Sequence, residues 1–201
     1  MAFFPLATMA QQTDNAATEY LKGAVPVVDG SVVFEKQFNV KNKTKQQIFD
    51  SLLVFTQNLI KSENQLPQSR ITETDAAKGL IVASIEETLY FKRKAWVSDF
   101  TSFYYQLIFE CKDNSYKATM RRIRYIYEEG RNFNNGNVIN AEDWITDEHA
   151  INSKGKLARI TGKFRQKTID RKNELFSKSR HAVMGGKKIV KRVVYVEEEE
   201  E

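Results

Sequence analysis

Thr101-Ser-Phe-Tyr-Tyr-Gln-Leu-Ile-Phe-Glu-Cys-Lys112, then Asp113-Asn114, then Ser115-Tyr-Lys-Ala-Thr-Met-Arg-Arg-Ile-Arg-Tyr-Ile-Tyr127, is the stretch on which the fold turns. Its first half alternates. Phe103, Tyr105, Leu107, Phe109 and Cys111 share one side, which predicts a strand from about Ser98 to Lys112 with one buried face. Asp113-Asn114 turns the chain into a second strand, about Tyr116 to Tyr127. That strand changes phase: Ala118 and Met120 are apolar on even numbers, Ile123, Tyr125 and Tyr127 on odd ones. A slip of one residue sends a side chain to the opposite face, so the phase change predicts a β-bulge near Arg121-Arg122. Tyr104 falls opposite Phe103 and Tyr105, so one side of this sheet presents aromatics outward. With the bulge, Arg122 and Arg124 line that same side.

Upstream, Leu80 to Phe91 reads as a further strand, with Ile81, Ala83, Ile85, Leu89 and Phe91 on one face and Lys92-Arg93-Lys94 as a solvated connection. Ala76-Ala77-Lys78-Gly79 is a hairpin turn joining it to a short Thr-rich strand, Ser69 to Asp75. Ser62 to Gln68 is loop, closed to helix by Pro67. Before it, Ile48, Leu52, Phe55 and Leu59 recur at helical spacing, and Thr44 with Gln47 fits a capping box. The expectation is an amphipathic helix over about Lys45 to Lys61. Val32, Phe34, Phe38 and Val40 alternate with Glu35, Gln37 and Asn39, a half-buried strand beginning after the turn signal Asp29-Gly30.

Downstream, Glu128 to Asn140 reads as loop. Asn140 suits the start of a short helix through Trp144 to Asp147, with Glu142 and Asp143 favourable at its N-terminal dipole. Ile151 to Gly155 is a break. Lys156 to Val183 then carries the longest helical pattern in the chain. Leu157, Phe164, Ile169, Leu175, Phe176 and Val183 fall on one broad arc, suited to docking on a sheet. Lys156, Arg159, Lys163, Lys167, Arg171 and Lys178 fall opposite it as a basic stripe. Arg165 and Lys172 sit inside the apolar arc, where a lone buried charge is costly. The expectation is a carboxylate partner for Arg165 and a snorkelling stem for Lys172.

The stripe invites an anionic partner, whether lipid head groups, polysaccharide, nucleic acid or an acidic protein patch. A solvated helix face that keeps the domain soluble is the plainer account of the same residues. A third account is internal, with Glu197 to Glu201 folding back across Gly185-Gly186. Charge is unevenly spread along the chain. Residues 154–192 hold 14 Lys and Arg against Asp170 and Glu174, and the chain closes on five glutamates.

The chain of 201 residues fits one domain with tails. The division read from composition is residues 1–10, 11–30 as lead-in, 31–184 as a single α+β domain, and 185–201 as hinge, strand-like segment and acidic tail. Met1 to Ala10 is apolar and ends in small residues. It looks like the back half of a secretory signal peptide cleaved after Ala10, with the true start upstream of Met1. The single cysteine, Cys111, excludes an intrachain disulfide and a Cys-based metal site and reads as an inert core thiol. His149 and His181 lack partners at ligand spacing. Gly185-Gly186-Lys187-Lys188 lacks the frame of a phosphate-binding loop. No catalytic residues, cofactor or metal are expected.

Several stretches resemble one family: Val32-Val33-Phe34-Glu35-Lys36, Thr44-Lys45-Gln46-Gln47-Ile48-Phe49-Asp50 and Asp75-Ala76-Ala77-Lys78-Gly79-Leu80-Ile81. Arg122-Ile123-Arg124-Tyr125, Glu142-Asp143-Trp144-Ile145-Thr146-Asp147 and Gly162 to Asp170 continue the likeness. That family comprises secreted Gram-negative envelope proteins known as a domain of unknown function with a TATA-box-binding-protein-like (TBP-like) fold. The likeness spans about Tyr20 to Val183, and order and spacing carry it. It implies a curved antiparallel sheet of about five strands in β-α-β-β-β-β-α order, with helices on one face and a long C-terminal helix. It implies export and assigns no activity. The function expected is a non-enzymatic binding module of the periplasm or envelope, for a protein or an anionic glycan. An enzyme with a site on the open sheet face is the alternative, and nucleic-acid binding through the basic helix ranks third.

Overall fold

The chain alternates eight strands and four helices across the residues described in this computed structural model, 18–94, 97–127 and 137–185. In order they are β1 (Val27–Val28), β2 (Ser31–Val32), β3 (Phe34–Asn39), α1 (Lys45–Leu59), β4 (Arg70–Asp75), β5 (Leu80–Lys94), β6 (Val97–Lys112) and β7 (Ser115–Tyr127). Then follow β8 (Asn137–Asn140), α2 (Ala141–Trp144), α3 (Asp147–Ala150) and α4 (Thr161–Met184). The main sheet is antiparallel with six strands, ordered β3-β7-β6-β5-β4, and β8 also pairs with β7. The sheet is thus one strand larger than expected, because Asn137–Asn140 pairs where the sequence reads as loop. Four residues of mixed polarity carry no legible alternation, so only the partner strand makes them a strand. The readings of residues 1–17, of 128–136 and of the segment after Gly185 lie outside the described residues.

Each alternation read from the sequence finds its face. Ile81, Ala83, Ile85 and Leu89 on β5 are buried, with Phe103, Tyr105, Leu107, Phe109 and Cys111 on β6. Burial pushes the Cys111 thiol up to about 12, which keeps it protonated and inert. Over this face lie α1 and α4, packed against each other as well as on the sheet. The capping box that opens α1 is complete: Gln47 N–H donates to Thr44 Oγ1 at 3.2 Å, and Thr44 N–H to Gln47 Oε1 at 3.0 Å. Ile48, Phe49, Leu52 and Leu59 are its buried stripe.

Phe164 of α4 is the hub of an aromatic cluster, with ring centroids 4.5 Å from Phe91, 4.7 Å from Trp144 and 5.1 Å from Tyr125. The buried tyrosines keep their hydroxyls paired. Tyr116 meets Ser179 at 2.9 Å and Tyr125 meets Thr168 at 2.6 Å, both partners lying on the docking face of α4.

The helix begins at Thr161, five residues later than the periodicity from Lys156 suggests. Asn152 Oδ1 accepts from the N–H groups of Lys154 and Lys156, at 2.9 and 3.1 Å, and Gly155 takes φ 70°. A side chain that offers the backbone a local turn competes with helix, and here it wins. Leu157 is drawn into a bridge with Ile151 instead. A Cβ on Gly162 would stand 2.9 Å from the Leu157 Cβ, so this close approach requires glycine.

Arg165 is fully buried and its carboxylate partner is Asp147, at 2.6 Å. Its remaining donors go to the carbonyls of Tyr20 (2.7 Å), Leu21 (2.6 Å) and Ile145 (2.7 Å). Asp147 accepts in turn from Gly23 N–H at 2.8 Å. One guanidinium thus fastens the lead-in and the start of α3 to the long helix. Lys172 lies half-buried, its ammonium 5.5 Å from the Phe34 ring centroid.

Candidate functional site

Among the described residues no helix packs on the opposite face of the sheet. Strand alternation sends Ser84, Glu86, Thr88 and Tyr90 of β5 there, with Phe100, Ser102, Tyr104 and Gln106 of β6. On β7 the register with β6 slips by one residue between Tyr104, opposite Arg124, and Gln106, opposite Arg121. The predicted bulge is therefore present, and Arg122 occupies it at φ 54°. Strict alternation across residues 121–124 would send two of four side chains outward. The bulge turns Arg121, Arg122 and Arg124 all to solvent and only Ile123 into the core.

Two of these arginines are ordered by neighbours on β6. Arg121 Nε donates to Gln106 Oε1 at 2.9 Å, and the Arg124 guanidinium stands 4.9 Å from the Tyr104 ring centroid. Ser84, Tyr104, Gln106, Arg122 and Arg124 line a shallow cavity of about 150 Å³. Of the carboxylates on this side, Glu110 pairs with Lys117 at 2.7 Å and Glu35 faces the same lysine at 3.6 Å, while Glu86 of β5 stands opposite Tyr104. Among the described residues no carboxylate pairs with any of the three arginines. Beside them the face turns apolar. Tyr90 and Phe100 lie 5.8 Å apart, and Phe100 and Val138 are 46% and 66% exposed.

The six cations read as one helical stripe are not brought together. Lys156 and Arg159 stand exposed in the turn before α4. Lys163 binds Asp99 at 2.8 Å and the Tyr127 hydroxyl at 2.9 Å, with its ammonium 4.5 Å from the Phe91 ring. Burial opposes its charge, but these partners outweigh burial and hold its pKa above the ordinary lysine value. Lys167 is half-buried, and Lys178 pairs with Glu174 at 2.5 Å.

Arg171 departs most from a solvated position. It is 15% exposed and grips Glu87 with two hydrogen bonds, Nε to Oε1 at 2.8 Å and Nη2 to Oε2 at 2.7 Å. Glu87 is itself 2% exposed and also accepts from Tyr105 (3.0 Å) and Gln65 (2.6 Å). Burial, and then the Glu87 charge, push the Tyr105 hydroxyl well above the ordinary tyrosine range. Glu87 has a signal in the sequence: it interrupts the run Ile85, Leu89 on the core parity of β5.

Among the described residues no three His, Cys, Asp or Glu side chains converge as metal ligands, and no helix is long and apolar enough to cross a membrane.

The model of a family described as a domain of unknown function (DUF4468) with TBP-like fold matches residues 34–126, which run from β3 to the end of β7. No curated protein matches the chain. The crystal structure of a DUF4468 family protein from Bacteroides ovatus is 36% identical, with a TM-score of 0.75 over 83% of this chain and 94% of that one. The crystal structure of a TBP-like protein from Parabacteroides distasonis is 20% identical, with a TM-score of 0.63 over 81% of this chain and 99% of that one, a likeness of fold. A long, well-covered relative at this identity, together with the matched strands and α1, makes this chain a member of the DUF4468 family with its TBP-like fold.

Proposed function

We propose that the protein is an exported, non-enzymatic binding module that docks an acidic protein segment on the sheet face opposite α1 and α4. The observation that carries the reading is the β7 bulge, which adds a third arginine to a patch that forms no ion pair among the described residues. Arginine beside exposed aromatic and apolar side chains is the composition of protein-binding hot spots. Here Arg124 lies over Tyr104, and Phe100 with Tyr90 stands further along the same face. That apolar border favours a protein over a purely ionic polymer such as an anionic glycan. Export rests on the signal-like Met1 to Ala10, and N-terminal sequencing of the mature protein tests it by finding a new start after Ala10.

Docking is tested by crosslinking in native envelopes. Wild-type protein is expected to give a discrete crosslinked species that Arg122→Glu with Arg124→Glu abolishes. An unchanged species in that variant refutes the assignment. A second reading places an anionic glycan at Lys156 and Arg159, which are exposed and form no ion pair among the described residues. Reversing those two would then lower envelope retention, and Arg122→Glu would leave it intact.

A further inference from the structure

A second concave feature lies on the other side of the molecule, between edge strand β3 and the C-terminal half of α4. It is a cleft of about 420 Å³, within the range that holds small organic ligands. Phe34, Phe38 and Phe176 form its floor, and Lys36, Lys172 and Arg180 reach its walls. The cations arrive there by alternation on two elements. Lys36 lies between Phe34 and Phe38 on the helix-facing side of β3, whereas Glu35 points to the opposite face, where its Oε1 accepts from Thr119 at 3.1 Å. On α4, Lys172, Phe176 and Arg180 recur at intervals of four residues and share one side.

Among the described residues the charge in this cleft is only partly balanced, with Glu19 and Glu35 against Lys36, Lys172 and Arg180. Among the described residues no carboxylate pairs with Lys36, Lys172 or Arg180. Glu19 is the one acid at the rim besides Glu35, and its Oε1 accepts from Asn173 Nδ2 at 2.5 Å. Lys172 hydrogen-bonds the neutral Asn173 Oδ1. Lys36 and Lys172 stand over the Phe38 and Phe34 rings, 5.4 and 5.5 Å from their centroids. Burial, then the Lys36 charge, lowers the pKa of Lys172, and Glu19 offsets this only in part. A half-buried ammonium beside a second ammonium is destabilising in the empty cleft, and an anion placed between them relieves both repulsion and desolvation.

We infer that this cleft binds a small amphiphilic organic anion, its acidic head between Lys36, Lys172 and Arg180 and its apolar body on the phenylalanine floor. The acid is a carboxylate, sulfonate or phosphate monoester, since each offers the anionic oxygens these donors require. This site is separate from the sheet-face patch and stands or falls independently of it.

The test is fluorescence titration of the full chain with 8-anilinonaphthalene-1-sulfonate, an aryl sulfonate of the proposed chemistry. Saturable binding at one site is expected, displaced by decanoate and not by decanol. Lys172→Met and Lys36→Met should each weaken it at least about tenfold, the order of one lost hydrogen bond to a charged group. Lys172→Arg should retain most of it. Lys36 is exposed, so Lys36→Met still tests the site if a substitution at Lys172 unfolds the chain. Arg122→Glu, on the opposite face, should bind the dye like wild type. Displacement by decanol as effective as by decanoate, unchanged binding in Lys36→Met, or loss of binding in Arg122→Glu would each overturn the assignment.

Discussion

Arg122 illustrates how much one backbone angle decides. At φ 54° it occupies a region where a Cβ is disfavoured by roughly 1 kcal/mol or more. Arg122→Gly removes that strain together with one cation. Thermal unfolding should show stability unchanged or higher by up to about 1 kcal/mol, while binding at the sheet-face patch falls; a marked drop in Tm would refute the strain account. Gly79 gives the opposite outcome. It has φ 71°, and a Cβ there would stand 2.5 Å from the Cys111 carbonyl oxygen. That carbonyl has little room to retreat, because Cys111 N–H donates to Gly79 O at 2.7 Å and ties the two backbones together. Gly79→Ala should therefore destabilise by about 1–3 kcal/mol, a fall in Tm of several degrees. The bulge was legible because its phase change is written in side-chain chemistry: Met120 and Ile123 cannot both face the core on an unbroken strand.

At the level of elements, β5 and α4 are joined by an ion pair that alternation and helical spacing each half-revealed. Glu87 takes a core position on β5, and Arg171 lies at the margin of the α4 docking arc. Neither element alone says that the two meet, since that depends on how the helix lies across the sheet. Removing one partner leaves the other charge buried. Arg171→Met should cost on the order of 3–5 kcal/mol, whereas Glu87→Leu with Arg171→Met should recover much of it; equal losses in the single and double variants would contradict this coupling. The long periodic elements α1, β5, β6 and β7 were legible because each carries a full stripe of buried side chains. The start of α4 was not, because an Asn152 side chain and Gly155 outcompete a helical pattern that continues through Lys156 and Arg159. The arginine patch was legible in part, through Tyr104, Arg122 and Arg124. The cleft between β3 and α4 was not, because it is made by two elements far apart in sequence.

Across the whole molecule, Arg165 links parts that sequence reading treats separately. Its bonds hold Tyr20 and Leu21 of the lead-in, Ile145 after α2 and Asp147 of α3 to the N-terminal turns of α4. Arg165→Met would strip all of these partners at once. It should lower stability by about 3–5 kcal/mol, and limited proteolysis should then cut near Tyr20 to Ala24 under conditions that leave wild type whole. Cleavage that stays confined to other sites would count against this role. Strand β7 raises a question of time as well as of shape. It pairs with β3 through Ser115–Met120 and with β8 through Arg124–Tyr127, the bulge lying between the two partners. Its pairing with β6 closes across the tight Asp113-Asn114 turn, whereas Phe34 of β3 must find Met120 across most of the domain. Local pairings form before distant ones because less loop entropy is lost in closing them. The hairpin of β6 and β7 should therefore be the earliest cooperative unit, with β3 added last. In native-state hydrogen exchange, β6 amides should open only with the whole molecule, and β3 amides through a separate, lower-energy release.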